Sequence, residues 1–165
     1  KTFSVQAAFF SRACSTVMAQ EDYVVRPLQK CDFNRGFPEV MNQLTDIGNL
    51  TEDTFLQVWD AHESTGHTTL VIEHTQSQRI VGSASLIVER KFLHGGASVG
   101  HVEDVVTDAT HRGKGLASRL LEALAQIAKK AGCYKVILDC ADHNVAFYER
   151  CGYEQRENQM RLDVV

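Results

Sequence analysis

The sequence predicts an α/β domain: a mixed, mostly antiparallel sheet with helices on both faces. Three observations carry that prediction. From Thr68 onward the apolar period is two, in two runs separated by the polar "TQSQ", which is a hairpin signature. "VEDVV", a helix-spaced segment and "KVILD" then follow one another. That is a βαβ crossover, so these two strands should be parallel and the earlier ones antiparallel. Two more helix-spaced segments lie between the first strand and the hairpin. The predicted order is β-α-α-β-β-β-α-β-α-β.

"DYVVRPL" (22–28) alternates and reads as the first strand, closed by Pro27. "DFNRGFPEVMNQL" (32–44) carries Phe33, Phe37, Val40, Met41 and Leu44 at helical spacing, with Asp32 as its cap and Pro38 making it irregular. In "TEDTFLQVWDAHES" (51–64), Thr51 is the N-cap, and Glu52 and Asp53 suit the positive first turn. That helix should bury Phe55, Val58 and Trp59, with His62 at the margin. "TTLVIEH" and "RIVGSASLIVERKF" form the hairpin, and "GGASVG" turns the chain into "GHVEDVVTD".

The next helix is expected over 113–130, with Leu116, Leu120, Leu121, Leu124, Ile127 and Ala128 on one stripe and Gly132 as its stop. "CYKVILDC" (133–140) is nearly continuously apolar, so it is expected to be buried and central. "NVAFYERCGY" reads as a short helix stopped by Gly152, and a last strand is expected from about Tyr153 to Val164.

At 165 residues the chain is one domain by size. Residues 1–20 hold Lys1 and Arg12 but no acid. They read as an ill-ordered arm or a helix packed on a neighbour or, alternatively, a transit peptide, leaving 21–165 as the domain. A net charge of −4 argues against nucleic-acid binding, and no run is long enough to span a bilayer. The five cysteines contain no C-x-x-C pair. Neither a zinc site nor a disulfide framework is indicated, and a reducing, cytoplasmic setting fits.

The informative stretch is "HRGKGLASRL" (111–120), a glycine-bearing turn running into the amphipathic helix. Unpaired N–H groups at a helix start bind phosphate oxygens, and glycines allow close approach. Neither G-x-x-x-x-G-K-[ST] nor G-x-G-x-x-G is present. On spacing alone the segment is either a diphosphate site or a plain βα turn.

Arg112-Gly113-Lys114-Gly115-Leu116-Ala117 resembles the R/Q-x-x-G-x-G/A loop of the GCN5-related N-acetyltransferases, and the element order matches their fold. "IVERKFLH", "GHVEDVV", "GCYKVILDC" and "NVAFYERCGY" further resemble the eukaryotic glucosamine 6-phosphate N-acetyltransferases, a similarity that covers residues 22 to 162.

The resemblance implies a parallel strand pair that splays to admit acetyl-CoA. The co-substrate would be held by Val105, Val106, Thr107, Arg112, Gly113, Lys114, Gly115, Leu116, Ala117, Ser118, Asn144, Phe147 and Tyr148. It implies Tyr148 as general acid toward the leaving thiolate, the Val105 N–H as oxyanion donor, and Asp139 as amine acceptor or base. Glu103 and Asp104 would grip sugar hydroxyls and amine. Thr45, Lys91, Phe92, Leu93, His94, Tyr134 and Lys135 would contact the sugar phosphate. Arg161 would reach across a homodimer, although "QMRLDVV" departs from the family's basic ending and a shift of two would put Asp163 there.

The implied reaction gives N-acetylglucosamine 6-phosphate, a precursor for UDP-sugar synthesis, by direct attack in a ternary complex without a metal. The rivals are the same chemistry on a protein lysine or polyamine, and a non-catalytic CoA-binding module. Cys140 adjoins Asp139; it is either a small buried residue or a thiol able to form a disulfide with CoA. His62, His67, His74, His101, His111 and His143 are read as structural or exposed.

Overall fold

The computed structural model describes residues 22–164, so the expected N-terminal arm lies outside the described residues. Five strands stand in the order β1 (Tyr23–Pro27), β2 (Thr68–His74), β3 (Arg79–Arg90), β4 (Ser98–Thr107) and β5 (Cys133–Ile137). All neighbours are antiparallel except β4 and β5, which are parallel, as the crossover requires.

Alternation along the strands divides the core into two. Leu70, Ile72, Ala84, Leu86 and Val102 face α3 (Leu116–Lys130), which contributes Leu116, Leu120, Leu121, Leu124 and Ala128. Val71 and Ile80 face the other way. They pack on Phe37 from α1 (Phe37–Met41) and Phe55 from α2 (Glu52–Thr65). Each fully buried leucine of this kind contributes roughly 2–3 kcal/mol. Thr51 caps α2, its Oγ1 accepting the Thr54 N–H at 3.2 Å.

Several boundaries differ from the sequence reading. Segment 32–44 is not one helix: a 3-10 turn (Lys30–Arg35) and α1 are separated by Gly36 at φ 98°, and Pro38 fits the first turn of α1. Asp32 is not the N-cap of a helix over 32–44 but the third residue of the 3-10 turn, a fully buried carboxylate in that turn's capping box. Arg26 holds it at 2.7 and 2.8 Å, and it accepts the Gln29 N–H at 2.8 Å. Val58 is exposed, on the outer side of α2. α3 begins at Leu116 rather than residue 113, because Gly113 and Gly115 sit at φ 77° and 72°, outside helical space.

"CYKVILDC" is not a central buried strand. β5 is the edge of the sheet, ends at Ile137, and leaves Tyr134 and Ile137 exposed. No strand follows α4 (Val145–Arg150) among the described residues. Met160, Leu162 and Val164 alternate as a strand would, yet all three are exposed. The pattern is present, but no sheet edge within the protomer pairs with it.

Candidate active site

The β4–β5 ladder is short. It runs from Ser98↔Cys133 to His101↔Ile137 and stops. Beyond that point β4 continues to Thr107 paired with β3, while the chain leaving β5 turns away. The divergence opens a cleft of about 270 Å³ lined by Leu44, Val102, Glu103, Asp104, Val105, Leu138, Asp139, Cys140, Ala141, Asn144 and Tyr148.

A bulge shapes its wall. Ser85 stands opposite Glu103 but Ser83 opposite Val106, so two residues of β3 face three of β4. The extra residue drops out of the ladder and re-aims the strand. Asp104 takes up the irregularity at φ 54°, a conformation that aspartate tolerates better than most side chains.

Three carboxylates meet here: Glu103, Asp104 and Asp139. Desolvation by the cleft walls, then the charges of Asp104 and Asp139, push the Glu103 carboxyl above its ordinary value; His101 and His67 pull weakly the other way. Across the cleft, Tyr148 rides on α4 with its ring 5.0 Å from Phe147 and 5.9 Å from Tyr153. Burial, then Cys140 and Cys151, raise its phenol, so it stays protonated throughout the neutral range. Cys140 is exposed on the cleft wall rather than buried. Ser118 Oγ lies 3.4 Å from Cys151 Sγ and fastens α4 to α3.

The glycine turn lies at the same end of β4. A Cβ at Gly113 or Gly115 would meet nothing within 4 Å, so the turn is not filled by side chains. No side chain caps the α3 N-terminus at Gly115, which leaves its amides available to an anion. Arg112 Nε donates to the Thr107 carbonyl at 3.2 Å, and Lys114 Nζ donates to Tyr23 Oη at 2.7 Å. Asp108 anchors the turn's base. Its carboxyl accepts from Thr110, Gln43 and His111, and is held well below the usual carboxylate range, first by Thr110.

The structure thus brings together Glu103, Asp104, Val105, Asp139, Asn144 and Tyr148, with Gly113–Ser118 nearby. It does not bring the basic segment to them. The turn 91–97 joins β3 to β4 where Arg90 pairs Ser98, and Ser98 pairs Cys133. Glu103 is five residues further along β4, roughly 17 Å at the rise of a strand. At that far end Lys91 Nζ binds Glu89 at 2.5 Å, and the His94 ring lies 4.4 Å from Tyr134, over whose ring Lys135 stands at 5.8 Å. Phe92 and Leu93 are exposed there. Thr45 is exposed beside the cleft residue Leu44, and Arg161 pairs with Asp163 in the exposed tail.

Sequence reasoning missed Leu44, Leu138 and Ala141 as lining residues, since their type carries no signal. His62 and His67, read as structural or exposed, are half-exposed. Their rings stack at 4.2 Å, and they interact electrostatically with Asp104 and Glu103 respectively. Among the described residues no group of three or more His, Cys, Asp or Glu could hold a metal ion, and no helix is long and apolar enough to cross a membrane.

Comparison with known proteins agrees with this geometry. The model of the Acetyltransferase (GNAT) family matches residues 26–153. The glucosamine 6-phosphate N-acetyltransferase of Trypanosoma brucei brucei is 41% identical over 143 residues, covering 87% of this chain and 97% of that one. A Drosophila melanogaster protein called probable glucosamine 6-phosphate N-acetyltransferase is 42% identical over 130 residues, which are 78% of this chain and 59% of the relative's length. The crystal structure of glucosamine-6-phosphate N-acetyltransferase from Arabidopsis thaliana superposes with a TM-score of 0.85 at 39% identity, covering 88% of this chain and all of that one.

Proposed function

The chain belongs to the GNAT acetyltransferase family, and from that membership we propose that it acetylates the 2-amino group of D-glucosamine 6-phosphate. Acetyl-CoA is the donor, and the amine attacks directly in a ternary complex, giving N-acetyl-D-glucosamine 6-phosphate and CoA. One observation carries this reading: Val105, three carboxylates and a protonated tyrosine converge on the cleft where β4 parts from β5, beside an unfilled glycine turn.

Each step follows from those groups. The diphosphate sits on the amides of Gly113–Ala117 with Arg112, Lys114 and Ser118 around it. The pantetheine arm lies along the β4 edge that β5 has vacated, at Val105, Val106 and Thr107, flanked by Asn144 and Phe147. The thioester oxygen accepts from the Val105 N–H, a contact worth roughly 3–4 kcal/mol as the oxyanion forms. Asp139 and Asp104 orient the amine. Glu103, whose raised pKa suits a base working near neutrality, removes its proton. Tyr148 protonates the departing thiolate.

We assign the phosphate side to Thr45, Lys91–His94, Tyr134, Lys135 and Arg161, contributed within a homodimer in a cytoplasmic setting. The exposed apolar side chains Phe92, Leu93, Met160 and Leu162 and the open outer edge of β5 support a contact between copies.

No Lys or Arg is among the residues lining the cleft, a surface that a polycation would also fit. The test is therefore thiol release from acetyl-CoA with glucosamine 6-phosphate, glucosamine, spermidine and a lysine peptide in parallel. Turnover should be fastest on the sugar phosphate. Turnover confined to spermidine or the peptide refutes the sugar, and none with any amine leaves a CoA-binding module.

A further inference from the structure

The histidines at the end of α2 have an unassigned place beside the acceptor carboxylates. Val102 points into the α3 core, so its neighbour Glu103 points to the opposite sheet face, where α2 packs. Glu103 stands opposite Ser85, and Ser85 opposite Thr69, with Thr69 Oγ1 3.0 Å from Ser85 Oγ. This polar row crosses the sheet toward His67, which immediately precedes β2 and interacts electrostatically with Glu103. Gly66, left-handed at φ 73°, ends α2 and turns the chain so that His67 lies back on His62, ring centroids 4.2 Å apart and 23° from parallel.

Resting on the amine-acetylation reading, we propose that the stacked His62–His67 pair is the proton outlet of the acceptor site, clearing Glu103 on each turnover. The amine arrives as an ammonium and must lose one proton before it can attack. That proton passes from nitrogen to a Glu103 oxygen, then to one imidazole directly or across one water, then to solvent from the half-exposed rings. Glu103 returns to its carboxylate and no electron changes hands.

The groups facing Glu103 are Asp104, Asp139, His101 and His67; those facing His62 are His67 and Asp104. His101 is already engaged with Glu89 at 2.9 Å. The pair is the base left to serve the cleft among these groups. Burial, then His67, lowers the His62 pKa, so His62 enters each cycle neutral.

His62→Gln, His67→Gln and the double variant test this, with pH profiles of kcat/KM for the acceptor, with and without imidazole in the buffer. The double variant should lose at least about tenfold at pH 7, within the range of proton-transfer contributions. Imidazole should restore most of that loss, while the KM for acetyl-CoA and the melting temperature stay put. A wild-type rate in the double variant overturns the proposal, and so does a loss that imidazole does not repair. If wild-type protein uses another amine, the sugar assignment fails while the outlet is read with that amine. If it uses none, both fail.

Discussion

Asp139 and Tyr148 face one cleft from two directions, Asp139 from the chain leaving β5 and Tyr148 from the helix α4 that follows it. A carboxylate and a protonated phenol therefore flank the space proposed for amine and thioester. Tyr148→Phe removes the donor and leaves the ring. It should lower kcat by about 10²-fold or more, as loss of a general acid does, with little change in the KM for acetyl-CoA. Steady-state kinetics decide it: an unchanged kcat would mean that the thiolate leaves without this phenol.

As the proposed base, Glu103 should set the acid limb of the pH profile. Its pKa is raised, so protonation removes the base at a higher pH than for an ordinary carboxylate. As pH falls, kcat/KM for the acceptor should therefore decline from above the usual carboxylate range of about 4.3. Glu103→Gln should slow the reaction and abolish that limb. A limb that survives in this variant assigns it to another group.

The sheet and the glycine turn were legible because both rest on local pattern: strand periodicity in "TTLVIEH" and "RIVGSASLIVER", and two glycines before an apolar stripe. The β5 edge was not. Val136 is half-buried while Tyr134 and Lys135 are exposed, and nothing in the run itself distinguishes an edge that splays from a central strand. The Asp104 bulge was equally hidden, because it exists only as a mismatch of register between β3 and β4. The His62–His67 stack depends on how α2 turns into β2. Asp32 shows the reverse error: an acid before a helix-spaced run fits a cap, but the part-buried Arg26 on β1 claims its carboxylate.

Gly115→Ala tests the turn. The residue sits at φ 72° with open space around a would-be Cβ, so the cost is conformational rather than steric, roughly 1–2 kcal/mol. The methyl group would also stand over the amides offered to the diphosphate. A higher KM for acetyl-CoA with kcat nearly unchanged is expected, beside a modest drop in denaturant midpoint. A rise in acceptor KM alone would place the diphosphate elsewhere.

Asp32→Ala tests what holds the 3-10 turn to the sheet. Asp32 is fully buried between Arg26 and Arg35, while Glu73 binds both arginines at 2.8 and 2.7 Å. Removing the carboxylate leaves two part-buried arginines to share Glu73 alone, at a cost of up to about 3 kcal/mol, measurable by urea unfolding. Glu73 adds a pH signature. Desolvation opposes its ionisation, but Arg26 and Arg35 hold its pKa below the ordinary value. Its contribution is therefore present above the unfolded pKa and lost as pH falls through the folded one. Acid sensitivity of the wild type below about pH 4 should be smaller in Glu73→Gln.

Asp104 separates backbone from side chain. The bulge needs a residue that accepts φ 54°, and the proposed acceptor site uses its carboxylate. Asp104→Asn keeps the first property, since asparagine tolerates the left-handed region, and removes the charge. It should raise the acceptor KM and leave stability within about 0.5 kcal/mol of wild type. Asp104→Val is β-branched and resists that conformation. It should cost roughly 1–2 kcal/mol and, by shifting the Val105 N–H from the oxyanion, lower kcat as well. Full kcat in the valine variant would show that the oxyanion is held by some donor other than the bulged backbone.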